Sequence, residues 1–334
     1  MKRFLAIMMA ALLMIVAAGC SDSEEVSGKG GQKTVKVGYM PNYASLNSVV
    51  AGMKIDSFKE EGIDIELVEF ADGPTIIAAM ESGSIDVGYI GPGAHVLPIQ
   101  GKADIIAFSH LGNADEVIGN KEKGVNTIED LKGKTVAVAS GTSSETILNL
   151  TLAEAGLTKE DIKVMDMDAS AIVTAMISGS VDAVATWSPN TNSIKNELGD
   201  QAVMLSNNER YADQFPSIAS WVTAPGYAEK NGETVDKFLK GLFKGYDYRV
   251  DNPEEVAKWV AKETALDEKS VLEQTGDGSW LKASDIQTMI EDGTIENYYK
   301  KQQENFVEAG NLKSGDLQPV EEYVLFDLMK KAVK

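Results

Sequence analysis

The chain has 334 residues, with 31 Lys and Arg against 51 Asp and Glu, a formal net charge of −20, and 43% hydrophobic residues. Such an acidic balance speaks against nucleic acid as a partner, because phosphate contact is driven by clustered cations. A single cysteine rules out an intrachain disulfide framework. The apolar content is sufficient for two ordinary domains.

Met1, Lys2 and Arg3 precede an uncharged run from Phe4 to Gly19, the basic and apolar regions of a secretory signal. The run is too short to span a bilayer comfortably. It closes as Val16-Ala17-Ala18-Gly19-Cys20, and small residues directly before the cysteine resemble the lipobox of bacterial lipoproteins, with Ala17 where Leu is usual. We expect residues 1–19 to be a signal peptide, Cys20 to carry the lipid anchor, and residues 20–33, polar and glycine-rich, to form a flexible linker reaching roughly 20 Å. Loss of residues 1–19 leaves 29 Lys and Arg against 51 Asp and Glu, 29 − 51 = −22. Only Arg210 and Arg249 then remain as arginines, so bidentate clamps for a carboxylate, sulfonate or phosphate are scarce.

From Thr34 onward short apolar runs alternate with amphipathic stretches. Val35–Tyr39 reads as a strand, and Leu46, Val49, Val50, Met53 and Phe58 have helical spacing. Ile63–Val68 alternates as a strand, 75–81 is helical, and Ile85–Ile90 is a third strand. This rhythm predicts a parallel sheet covered by helices, with ligands beyond the carboxyl ends of its strands. A gapless internal repeat then stands out. Residues 72–87 match residues 168–183 at 8 of 16 positions. Each copy has a capping Asp, a short helix, a Ser-Gly-Ser stop and a strand, so two similar α/β lobes are expected. Around residue 127, Thr127 is placed to cap a short helix that Gly133 ends, before the strand 135–139. Beyond Pro225 the chain becomes helical and charged, over 233–248, 253–263 and 295–308, and is expected to pack back on the first lobe.

Strand-end loops supply the binding candidates. Asn42 and Tyr43 follow the first strand, Gly91 and Pro92 the third, and Trp187 the strand of the second repeat. Aromatic, Asn, Pro and Gly residues at such positions suit a small-molecule pocket. Ser140, Thr142, Ser143 and Ser144 follow a strand and open a helix, where amides and hydroxyls can meet an anionic or strongly hydrogen-bonding group. Glu145 can complete a capping box there. Trp221 lies beside the second crossing between lobes. His95 and His110 share no metal-ligand spacing, so neither a metal nor a cofactor is expected, and no Gly-x-Ser-x-Gly elbow points to catalysis.

Taken together, Val37-Gly38-Tyr39, Gly83–Gly88, Asp130–Ala137, Ser140–Ser144 and Gly179–Ala183 with Trp187 resemble the substrate-binding proteins of ABC importers for taurine, alkanesulfonates and nitrate. The resemblance implies an α/β, periplasmic-binding-protein-like fold (type II): two α/β lobes with a hinge and a ligand cleft between them. Lobe 1 would hold 34–110 and 222–334, and lobe 2 would hold 111–221. It implies a non-enzymatic solute-binding lipoprotein, a monomer anchored on the outer face of the cell membrane, that delivers a sulfonate-like solute to an ABC permease and its ATPase. By motif position it also adds Asp72 and Gly73 to the site. Members that hold a sulfonate often place an arginine where this chain reads Ala219–Pro225, so Asp72 and Glu145 would favour an amine on the ligand. A nitrogen-containing heterocycle such as a pyrimidine is the alternative solute, and a sensor lipoprotein of the same fold the alternative role.

Overall fold

The computed structural model describes residues 33–333. The expected signal peptide, the lipidation at Cys20 and all of the expected linker except Lys33 lie outside the described residues. In chain order, β1 (Lys33–Tyr39), α1 (Tyr43–Lys54), β2 (Ile63–Glu69), α2 (Gly73–Glu81) and β3 (Val87–Ile90) lead to β4 (Asp104–Gly112). There follow β5 (Asp115–Asn120), β6 (Thr135–Val138), α3 (Ser143–Glu154), β7 (Lys163–Asp166), α4 (Ala169–Ile177), β8 (Ala183–Trp187), α5 (Asn190–Leu198) and β9 (Ala202–Asn207). After β10 (Ile218–Thr223) the main elements are α6 (Gly232–Asp251), α7 (Pro253–Thr264), the short β11 (Gly278–Trp280), α8 (Ala283–Glu291), α9 (Thr294–Glu308) and α10 (Phe326–Ala332).

These strands form a six-stranded sheet in the order β11-β4-β10-β3-β1-β2 and a five-stranded sheet in the order β7-β6-β8-β5-β9. β1 runs parallel to β3, and β6 runs parallel to β7 and β8. On the flank of each parallel set lies one antiparallel strand, β10 on β3 and β5 on β8. The chain passes from the first sheet to the second between β4 and β5, and returns between β9 and β10. The return comes earlier than the sequence suggests. Residues 218–221, expected in the second lobe, are paired with β3 and β4 and so belong to the first sheet.

The repeat is one unit built twice, and its helix cap, glycine stop, serine pair and strand tie recur in both copies, the cap reaching one residue less far in the second. Asp72 caps α2 by accepting from Thr75 N, and Asp168 caps α4 by accepting from Ser170 N. Gly83 (φ 74°) and Gly179 (φ 69°) take the left-handed turn that ends each helix. The flanking hydroxyls pair identically, Ser82 with Ser84 at 2.8 Å and Ser178 with Ser180 at 2.9 Å. The last aspartate of each copy then ties the next strand to the sheet: Asp86 Oδ2 accepts from Lys36 N at 2.9 Å, and Asp182 Oδ2 accepts from Thr135 N at 2.8 Å.

Two local expectations change. The helix expected to continue to Phe58 breaks at Asp56, whose φ of 59° is left-handed, a conformation Asp tolerates better than most residues. Thr127 does not cap the next turn with its side chain. Asp130 Oδ2 instead accepts from the amides of Asn126 and Thr127, at 2.9 and 3.0 Å.

The helical tail shares the core of the six-stranded sheet. Phe238, Leu242 and Tyr246 of α6, Tyr299 of α9 and Met329 of α10 are buried together with Val37, Ile90, Phe108 and Trp221. α6 lies against α1 so closely that a Cβ at Gly245 would stand 2.1 Å from Ser48 O. Both partners are backbone, so neither can yield cheaply. Gly245→Ala should therefore destabilise the protein by about 1–3 kcal/mol, even though alanine alone favours a helix interior. Thermal unfolding checks this, and an unchanged or raised Tm would refute the packing account.

Candidate functional site

At the carboxyl end of a parallel strand the chain must turn, and in both sheets these turns open on one cavity. Its volume is about 60 Å³, and its lining mixes apolar surface with a few convergent polar groups, as small-molecule sites do. Met40 and Asn42 reach it after β1, Asp72, Gly73 and Pro74 after β2, and Tyr89, Gly91, Pro92 and Ala94 at the end of β3. His110 and Gly112 of β4 and Ala219 of β10 form the floor on that side. The second sheet's lobe contributes Asp115 at the start of β5, Thr142 and Ser143 at the N-terminus of α3, and Trp187 and Ser188 at the end of β8. Gln274 and Asp277 come from the tail.

Eight of the residues singled out from sequence thus meet at one place: Asn42, Asp72, Gly73, Gly91, Pro92, Thr142, Ser143 and Trp187. Several are held there by capping bonds. Asn42 Oδ1 accepts from Ser45 N at 2.9 Å and Asp72 Oδ1 from Thr75 N at 2.9 Å, while Thr142 caps α3.

Four expected site residues do not line the cavity. Tyr43 is wholly buried behind it, its amide donating to Gln274 Oε1 at 2.9 Å and its ring edge-on to Trp280. Trp221 is core, because β10 is an interior strand, and its indole packs against Tyr89 and Phe238. Ser144 is buried with its hydroxyl on Ala139, accepting from the amide and donating to the carbonyl, each at 3.1 Å. Ser140 is exposed and opens on an outer groove with Gly141 and Glu145, its amide donating to Asp166 Oδ1 at 3.0 Å. Glu145 is likewise outside the cavity. It is paired with Lys159 and accepts from Gly141 N at 2.7 Å. Three amides expected to meet an anion, those of Ser140, Gly141 and Ser144, therefore already have acceptors within the protein.

The two lobes touch beside the cavity. A Cβ at Gly93 would lie 2.1 Å from the carbonyl carbon of Thr142 and 2.5 Å from Ser143 N, so only glycine lets the turn at 92–95 seat on the 140–144 loop.

Sequence reading missed Asp115, Asp277, His110 and Ser188. Asp115 sits directly after the crossing, where alternation carries no sign of a site, and Asp277 is in the tail, which reads as packing. Both carboxylates are perturbed. Burial pushes Asp115 up to about 6, with Asn208 and Ser143 opposing and Glu116 assisting. Burial pushes Asp277 up to about 7, aided by Glu116 and Asp115 and opposed by Ser188 and Lys195. His110 is held well below the ordinary histidine range by burial and then by Arg249, so it is neutral near pH 7. His95 is pushed down to about 4 by burial, its ring nitrogens bonded to Ser220 Oγ and Pro92 O. Among the described residues no three His, Cys, Asp or Glu side chains group as a metal-ion site.

Neither remaining arginine reaches the cavity. Arg210 pairs with Glu154. Arg249 is wholly buried, donating to Asn47 Oδ1 at 2.7 Å and Ser109 O at 2.8 Å, with its guanidinium 4.0 Å from the Tyr246 ring centre.

The family described as NMT1/THI5 like matches residues 48–256. The chain belongs to that family. Its relatives include a Brucella abortus (strain 2308) chain whose name goes no further than binding protein, 31% identical over 87% of this chain and 90% of that one. The taurine-binding periplasmic protein of Escherichia coli K12 is 25% identical over 59% of this chain and 61% of its own. Among solved structures, the alkanesulfonate-binding protein of Xanthomonas axonopodis pv. citri, bound to MOPS, superposes with a TM-score of 0.64 at 21% identity, covering 89% of this chain and 99% of that one. This NMT1/THI5-like chain has the periplasmic-binding-protein fold, two α/β lobes with their strand ends facing each other.

The raised carboxyls make a stability prediction. Between about pH 4 and pH 7 the folded protein binds more protons at Asp115 and Asp277 than the unfolded chain does, so their contribution favours folding at acid pH and is lost as pH rises through 6 and 7. Asp277→Asn should therefore stabilise the solute-free protein at pH 8, by roughly 2 kcal/mol, and leave it little changed at pH 4. Paired denaturant titrations at the two pH values check this, and an equal effect at both would refute it.

Proposed function

We propose that this chain is the extracytoplasmic solute-binding lipoprotein of an ABC importer, closing its two lobes on a small molecule and presenting it to the permease. The observation that carries this reading is the convergence of strand ends from both sheets on one cavity, with Gly93 seated on Thr142 and Ser143 beside it. A solute held by residues of both lobes favours the closed arrangement by its differential contacts, and a permease can read that arrangement.

The relatives' names favour a sulfonate-like solute such as taurine or an alkanesulfonate. The lining shifts the balance within that class. None of the described lining residues is Lys or Arg, and three are aspartates, Asp72, Asp115 and Asp277. The loop amides of Ser140, Gly141 and Ser144 are already engaged and no cation lines the cavity, so a bare sulfonate would be met by neutral donors alone. A solute that also carries nitrogen donors fits better: a zwitterion such as taurine, or a nitrogen-containing heterocycle such as a pyrimidine lying against Trp187 and Tyr89.

Thermal-shift and calorimetric titration against sulfonates, amino acids, pyrimidines and purines tests the proposal. We expect at least one compound to raise Tm and bind with a micromolar or lower Kd, and no response across the panel would count against it. Trp187→Ala should weaken binding at least tenfold while leaving the solute-free Tm nearly unchanged. Gly93→Ala should weaken it similarly by obstructing closure, since its Cβ meets backbone of the other lobe and neither lobe's own core. Unaltered affinity in both variants would move the binding site elsewhere.

A further inference from the structure

We propose that Asp115 and Asp277 form a cation subsite in this cavity, which holds a protonated nitrogen of the solute between the two lobes. The inference rests on the solute-binding reading above and adds the chemical class that the site selects.

Asp115 is only 4% exposed. Its backbone amide donates to Asn208 Oδ1 at 2.7 Å, and its Oδ2 accepts from Asn208 Nδ2 at 3.1 Å. Its other oxygen, Oδ1, has no donor in hydrogen-bonding geometry, and besides Asn208 the side chain acting on this carboxyl is the Ser143 hydroxyl of the same cavity wall. An unpartnered carboxylate oxygen in a buried wall is costly, and a cationic donor from the cavity side would satisfy it. Strand register supplies a second feature. Asp115 stands directly opposite Trp187 in the β5–β8 ladder, and such cross-strand pairs project on the same face within contact range. A carboxylate beside an indole is the combination that holds an organic ammonium, by charge on one side and by the ring face on the other.

Asp277 approaches from the tail, on the side of the first lobe. Its carbonyl accepts from Asn113 N at 2.7 Å, and the Ser188 hydroxyl of the second lobe is among the groups acting on its carboxyl. The two carboxylates thus come from opposite lobes, line one poorly solvated cavity, and Asp115 raises Asp277; like charges there are unfavourable unless a cation lies between them. The cations nearby are already committed. Lys195 is bonded to Glu116 Oε1 at 2.7 Å and does not line the cavity. Arg249 acts on His110 and is held by Asn47 and Ser109, whereas the charged groups acting on the aspartates are Glu116 on both, and Lys195 and Asp115 on Asp277. The raised carboxyls agree with this assignment, since burial is the leading cause of each and Lys195, committed to Glu116, only partly opposes it at Asp277.

The test uses compounds matched in shape but differing in one amine. Taurine is compared with isethionate, and an aminomethylpyrimidine with its hydroxymethyl counterpart, together with primary amines and their alcohols of equal length. Each is titrated into the wild-type protein and into Asp115→Asn and Asp277→Asn, and native mass spectrometry of protein purified without refolding looks for a carried-over molecule. We expect the amine members to bind, their hydroxyl counterparts to bind about 30-fold or more weakly, and each Asn variant to lose at least tenfold in affinity for the amine without a fall in solute-free Tm. Equal binding of amine and alcohol, tighter binding of anions, or unchanged affinity in both Asn variants would overturn the cation subsite and leave the solute-binding role standing. No binding by any compound and no carried-over molecule would sink that role and the subsite with it.

Discussion

One serine hydroxyl at the end of each central parallel strand sets the geometry on which the rest of this protein depends. In the first sheet Ser45 Oγ accepts from Met40 N at 2.9 Å, and in the second Ser144 Oγ accepts from Ala139 N at 3.1 Å. A buried strand-end amide must find an acceptor, and a serine in the first turn of the next helix supplies it five residues later. That bond draws the strand end and the helix start together. It leaves the residues between them, Asn42 on one side and Thr142 and Ser143 on the other, facing the cavity.

The same economy explains why an anion reading of these loops weakens once the fold is known. Capping residues and nearby acids consume the amides: Asp166 takes Ser140, Glu145 takes Gly141, and Thr142 takes Ser144. The cavity wall instead buries two carboxylates, Asp115 and Asp277, and Asp115 Oδ1 has no donor in hydrogen-bonding geometry. Their burial works against the stability of the empty protein near neutral pH, a cost commonly located at sites that gain a partner later.

Close backbone approach is the second constraint. Gly245 lets α6 lie on α1 and thereby binds the tail to the first lobe's core, and Gly93 lets one lobe seat on the other. The first contact positions Gln274 and Asp277 at the cavity edge, since both belong to the segment that follows α7. The second brings the cavity's two walls together. Neither glycine has the positive φ that marks a turn, so their role shows only through the neighbours a side chain would meet.

By itself the sequence determined the α/β rhythm, the duplicated unit and the strand-end loops, because periodicity, capping and Ser-Gly-Ser stops act over a few residues and leave local signatures. Asn42, Asp72, Gly91 and Trp187 were legible for that reason. Tyr43, Ser144 and Trp221 were misplaced, since a residue's side of a loop or strand depends on what packs against it. Only the tertiary structure decided that β10 returns to the first sheet, that the tail brings Asp277 to the cavity, and that Asp115 stands opposite Trp187 there. Those meetings join segments far apart in the chain, and the burial that perturbs the carboxylates exists only once both lobes have folded around them.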